Sequence, residues 1–106
     1  MAGRDYRLAN RAILDLQEIA EYLAERSETA AERVFSGLHE TFSEIARSEG
    51  IGTSLDRYRP GLRMSIGNRP AQKYVIFHRA TGDRVMITRV LHAARNWIAV
   101  LAEDEE

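Results

Sequence analysis

The sequence predicts an α+β fold in which an N-terminal strand and a two-helix antiparallel hairpin pack on a three- to four-stranded antiparallel sheet. Apolar residues recur every three or four positions between about 10 and 45, then every second position between 62 and 91. The chain has 106 residues, 44% of them hydrophobic, which is enough for one core and too little for two. Residues 1–106 are therefore expected to form a single domain. In so short a chain the hairpin and the sheet are each the obvious cover for the other. The second face of the sheet is left without a helix of its own, and a partner is expected there.

The elements follow in order. Tyr6-Arg7-Leu8-Ala9 alternates and predicts a first strand, at an edge or beside a later strand. A helix is expected from about Asn10, its N-cap, to about Arg26. Ile13, Leu16, Ala20 and Leu23 form its apolar stripe, widened by Ile19 and Tyr22, with Asp15, Glu18, Glu21 and Glu25 on the outer face. Ser27 or Thr29 can cap a second helix, and Thr29 and Glu32 have the spacing of a capping box. Its stripe is Ala31, Val34, Leu38, Thr41 or Phe42, and Ile45. Gly50, Gly52, Pro60 and Gly61 mark the stretch from Glu49 to Gly61 as a surface loop. Leu62, Met64 and Ile66 then alternate with Arg63, Ser65 and Gly67 as a strand, and Asn68-Arg69-Pro70-Ala71 turns the chain. Lys73 to Arg79 and Arg84 to Leu91 are the strongest strand signals, joined by a hairpin at Ala80-Thr81-Gly82-Asp83. Ala93 to Leu101 has helical spacing, and the acidic tail, residues 102–106, is expected to be disordered.

Composition narrows the class. Without cysteine, neither disulfides nor a cysteine-based zinc site can hold the fold, and no metal or cofactor is implied. No apolar run approaches the roughly 20 residues of a membrane span, and Met1-Ala2-Gly3-Arg4-Asp5 lacks the apolar stretch of a signal peptide, so a cytoplasmic protein with no membrane contact is expected. The net charge of −1 conceals an asymmetry: residues 1–50 carry six arginines against ten acids, residues 51–106 nine basic groups against six acids. Fourteen of the 15 basic residues are arginine, whose planar fork suits carboxylates and phosphates at interfaces.

Certain residues bear a resemblance. Tyr6-Arg7-Leu8, then Asp15-Leu16 with Ile19 and Tyr22, then Pro60-Gly61-Leu62-Arg63, is similar to the ParE branch of the RelE/ParE toxins. The most specific segments are Tyr74-Val75-Ile76-Phe77-His78-Arg79 and Ile87-Thr88-Arg89-Val90-Leu91-His92-Ala93-Ala94-Arg95. The resemblance runs over about residues 6 to 97. Ala9-Asn10 departs from the family's usual Ser-Pro, the loop around Gly52 lacks a proline often found before it, the Asn68–Ala71 turn is long, and His78 replaces a common tyrosine. The resemblance implies a type II toxin that binds DNA gyrase and is blocked by a ParD-like antitoxin, whose C-terminal segment becomes ordered on the toxin.

Alternative chemistry can be set beside this. RelE-like relatives cut mRNA on the ribosome, which needs a proton donor, a proton acceptor and cations for the phosphate. His78 and His92 could exchange protons, and Arg63, Lys73, Arg89 and Arg95 could hold phosphates. Against that, the chain ends in Trp97-Ile98-Ala99-Val100-Leu101 and acids rather than a histidine and tyrosine cluster, and a charge of −1 offers little affinity for RNA. The candidate catalytic residues of that second reading are His78, His92, Arg63 and Arg89, and a third reading is a non-toxic module that only binds an antitoxin. In the first reading no residue is catalytic, no sequence-specific nucleic-acid binding is expected, and the contacts with target or antitoxin are Arg63, Tyr74, Arg79, Arg89, His92, Arg95 and Trp97. Five of these have a structural alternative: Arg63 can pair with a helix glutamate, Arg89 can be an internal strut, His92 can satisfy backbone, and Tyr74 and Trp97, like Phe77, can be core or rim aromatics.

Overall fold

A computed structural model describes residues 5–48 and 50–103. The expectations placed on Met1 to Arg4 and on tail residues 104–106 lie outside the described residues. The order is β1 (Asp5–Leu8), α1 (Asn10–Ala24), α2 (Glu28–Arg47), β2 (Thr53–Ser54), β3 (Arg63–Ile66), β4 (Tyr74–Thr81), β5 (Arg84–His92) and α3 (Trp97–Glu103). One five-stranded sheet, β1-β5-β4-β3-β2, carries the helical hairpin on one face. The α+β class is as expected, with two differences in the sheet. β2 adds a short edge strand inside the stretch read as loop, and β1 runs parallel to β5, with Leu8 opposite Ile87. A parallel neighbour is possible because the intervening chain, with its two helices, is long enough for a crossover.

Local chemistry explains most boundaries. Ser27 opens α2, its hydroxyl accepting from the Ala30 amide at 3.1 Å, so it, and not Thr29, is the cap. Helix α1 differs: Ala9 stands at the N-cap with no side-chain acceptor, and Asn10 is already helical. Its buried stripe is also rotated from the expected one. Ala12 and Asp15 are buried, with Leu16 and Ile19 packed on the core, while Ile13 is 39% exposed. On α2 the buried residues Leu38, Thr41, Phe42 and Ile45 are the stripe the spacing predicts. The β4–β5 hairpin closes on Gly82-Asp83, with φ of +65° at Gly82, the glycine-first chemistry of a two-residue turn.

A bulge in β5 decides which side chains face which layer. Phe77 lies opposite Arg89 but His78 lies opposite Ile87, so Thr88 is the extra residue, and its hydroxyl donates to the Phe77 carbonyl at 3.1 Å. Val85 and Ile87 face the helical hairpin before the bulge, and Val90 does so after it. A strict alternation would have placed Arg89 there instead.

The second face of the sheet is covered, contrary to expectation. Leu55, Leu62, Val75, Phe77, Leu91 and Leu101 form a second buried cluster, with Met64, Trp97 and Val100 packed on it. The lid consists of the 55–62 loop and α3. Trp97, Val100 and Leu101 are spaced to share one helix face, and the Trp97 ring lies 5.6 Å from Phe77 and 5.7 Å from Tyr58. Arg59 donates to the Leu101 carbonyl at 2.5 Å, tying the loop to the end of the helix. Ala102 and Glu103, read as part of a disordered tail, belong to α3. Among the described residues no helix is long and apolar enough to cross a membrane, and no cluster of potential metal ligands occurs.

Candidate protein-docking surface

Strand β1 accompanies only the first half of β5, pairing with residues 84–87. Beyond Leu8 the chain leaves the sheet as α1, and the rest of the β5 edge is met by this helix instead of a strand. The contact is made by Asp15. Its carboxylate accepts from Arg89 Nε at 2.8 Å, from Arg89 Nη2 at 2.9 Å and from the Val90 amide at 2.9 Å. Asp15 and Arg89 are 6% and 5% exposed, so this is a buried two-pronged ion pair that also satisfies a backbone donor on the sheet edge. The expectation that Asp15 lies on the outer face of α1 is therefore corrected. Its spacing three after Ala12 and four before Ile19 places it on the buried stripe, a signal present in the sequence.

Above this pair a groove of about 420 Å³ opens between α1 and the end of β5. Ile19 and Tyr22 of α1 form one wall, and Tyr74, Val90, Leu91 and His92 the other, with Glu18 and Arg95 at its margins. The groove brings together three of the seven expected contact residues, Tyr74, His92 and Arg95. The His92 ring meets the Tyr74 ring edge-on at 5.5 Å, and His92 Nδ1 accepts from the Ala94 amide at 3.0 Å, which fixes the turn after β5. Burial, and secondarily the neighbouring Tyr22, raises the Tyr74 phenol above its ordinary pKa, so it stays protonated. Ile13, Leu14 and Tyr22 leave 39%, 52% and 53% of their surfaces exposed along α1, so apolar surface continues beyond the groove. Tyr22 was read only as a widening of the core stripe, and the structure makes it a groove wall.

The other expected contacts are elsewhere. Arg63 donates to three successive carbonyls, Ile51 at 2.9 Å, Gly50 at 2.8 Å and Gly52 at 2.9 Å, so its partner is the loop rather than a helix glutamate. Trp97 belongs to the second core. Arg79 lines a separate pocket with Arg11, Arg59 and Arg89. Lys73 lies outside the groove, its carbonyl accepting from the Ala93 amide.

Arg63 and His78 are cross-strand neighbours, but the four ribonuclease candidates do not form one site. His78 is 3% exposed, its Nε2 2.9 Å from the Ser65 hydroxyl, and burial together with the Arg63 charge lowers its pKa to about 4. It is neutral near pH 7 and shielded from solvent. His92 lies opposite Tyr74, while His78 lies opposite Ile87, which separates the two rings by roughly 13 Å of strand. Arg63 and Arg89 are engaged by loop carbonyls and by Asp15.

Comparison with known proteins agrees with this architecture. The fold is similar to a solved chain of the chromosomal ParDE toxin-antitoxin system from P. aeruginosa, with a TM-score of 0.68 at 18% identity, covering 84% of this chain and 95% of that one. No curated protein matches the chain in sequence. Residues 6–97 match the family described as ParE toxin of type II toxin-antitoxin system, parDE. That span runs from Tyr6 in β1 to the start of α3, so it contains the buried Asp15–Arg89 pair and the whole groove, and the chain belongs to the ParE toxin family.

Proposed function

We propose that the chain is a cytoplasmic toxin that arrests growth by binding DNA gyrase, without chemistry of its own, and is neutralised by a ParD-like antitoxin. Family membership supports the toxin role. The observation that carries the choice of mechanism is that His78, His92, Arg63 and Arg89 form no open site: a 2′-hydroxyl attack needs acid, base and cations around one phosphate, but His78, though opposite Arg63, is buried, Arg63 and Arg89 are held by loop carbonyls and Asp15, and His92 lies farther along the sheet. What the surface offers instead is a groove with aromatic walls and an apolar extension on α1, suited to the apolar face of an amphipathic segment that orders as it binds. The antitoxin is assigned to this groove and the adjoining face of α1, since α3 and the 55–62 loop occupy the far face of the sheet.

Purified gyrase supplies the test. Supercoiling of relaxed plasmid should fall as the chain is added and recover on adding the protein encoded beside it. Full supercoiling at saturating chain rejects the gyrase assignment, and mRNA cut at the ribosomal A site after induction would restore the ribonuclease reading.

A further inference from the structure

We propose that the recess where β1, the last turn of α2 and the start of β5 meet binds the phosphate group of a small phosphate monoester. The recess has a volume of about 330 Å³, and three arginines from three separate elements line it: Arg7 of β1, Arg47 of α2 and Arg84 of β5. All three are exposed, so each has surface to offer a ligand. Among the described residues none of their guanidinium groups is held by a hydrogen bond or an ion pair. Asp5, opposite Arg84 in the strand register, also lines the recess and makes no ion pair with it. The half-buried Ser43 adds a hydroxyl. A serine or threonine inside a helix can donate to the carbonyl four residues back, as Thr41 does to Gly37 at 2.7 Å, but Ser43 makes no such bond.

Charge and oxygen count indicate which anion the recess suits. Asp5 and the negative end of the α2 dipole, worth about half a charge, stand against three guanidinium groups, so the described lining favours an anion. A carboxylate calls for only one such group: Asp15 fills both prongs of Arg89, at 2.8 and 2.9 Å. Three forks and a hydroxyl suit a group with more oxygens and a second negative charge, which a phosphate monoester has near neutral pH. A nucleic-acid backbone would need a continuous basic track. Glu18, Glu21 and Glu25 of α1, in a chain of net charge −1, provide the opposite. The recess lies at the start of β5 and the docking groove at its end, roughly 20 Å of strand away, so this inference stands apart from the docking reading.

The test follows the backbone amide signals of the full-length ¹⁵N-labelled chain at about pH 7.5, where a phosphate monoester carries close to two charges. Phenyl phosphate, phenyl sulfate, benzoate and a short DNA duplex without terminal phosphates are titrated separately at constant ionic strength. Phenyl phosphate should shift the amides of residues 5–7, 43, 47 and 84 saturably, with a dissociation constant on the order of millimolar, and the singly charged sulfate and benzoate should bind roughly tenfold more weakly. Arg47→Gln and Arg84→Gln, both at exposed positions, should each weaken phenyl phosphate by about tenfold or more. Arg57→Gln, an equal change of charge in the 55–62 loop, should leave it unaltered. Benzoate or sulfate binding as tightly would overturn the phosphate assignment, and a duplex that moves the same amides more readily would overturn the choice of a small ester. No shift at these residues, or a loss no larger in Arg84→Gln than in Arg57→Gln, would overturn the site.

Discussion

Replacing Asp15 with asparagine should destabilise this protein more than its position on a largely exposed helix would suggest. The carboxylate holds both prongs of Arg89 and the Val90 amide, and both charged residues are at most 6% exposed. Asparagine preserves the shape but takes the Asp15 charge away from the guanidinium in a buried site. Breaking a buried pair in this way costs about 3–5 kcal/mol. A domain of this size has only about 5–15 kcal/mol in all, so a large fraction is lost. With a urea dependence near 2 kcal/mol per molar, the unfolding midpoint should fall by roughly 2 M. Arg89→Met should show a similar loss, since it leaves the carboxylate buried. Asp15→Leu combined with Arg89→Met removes both charges and should be clearly more stable than either disruption predicts by addition. Equilibrium urea unfolding of the parent chain and these three variants decides the matter. A loss below about 1 kcal/mol for Asp15→Asn, or strict additivity in the double variant, would refute the claim that the pair acts as a unit.

Three further outcomes follow from other sites. His78 has its pKa lowered from 6.5 to about 4 by burial and Arg63, so between those values the unfolded chain binds a proton that the folded chain refuses. Its contribution is therefore whole above pH 6.5 and declines by about 3 kcal/mol as the pH falls to 4. Urea titrations at several pH values should show a shallower acid slope for His78→Gln, and parallel curves would count against this. Arg63→Ala removes donors from the carbonyls of residues 50–52, and amide exchange around β2 should quicken well before the helices respond; unchanged protection there would mean that the loop holds itself. Gly37→Ala would set a methyl group 2.7 Å from the Asn68 carbonyl, so overpacking of about 1–3 kcal/mol should outweigh the gain in helix propensity, with a lowered melting temperature as the readout.

The class of the fold was legible because two periods are written plainly into the chain. The α2 stripe and the β4 and β5 strands needed no tertiary information, since burial on one face forces the spacing. Sequence also held the family resemblance over residues 6 to 97, which the match of the same span bears out. Two details were legible but misread. Asp15 was assigned to the acidic outer face because its neighbours in composition are surface glutamates, although its position falls on the buried stripe. The apolar end of α3 was read as a short helical turn without recognising that Trp97, Val100 and Leu101 need a surface to cover.

Other features had no local signal. Nothing in the order of residues reveals that Thr88 bulges, yet this one residue changes which of Val90 and Arg89 faces the helices. Nor does sequence show that the second face of the sheet is closed by α3 and the 55–62 loop, because these segments meet only after β3, β4 and β5 have paired. The arginines illustrate the same divide. Their number and the positive balance of charge in the second half were determined by sequence alone. Tertiary structure decided that Arg63 braces a loop, Arg89 answers Asp15 and Arg79 keeps a buried donor unmatched. Periodicity reports which face of an element is covered, whereas a charge takes its role from whatever lies within a few ångströms of it, and chain pairing sets those neighbours across 74 positions of sequence for Asp15 and Arg89.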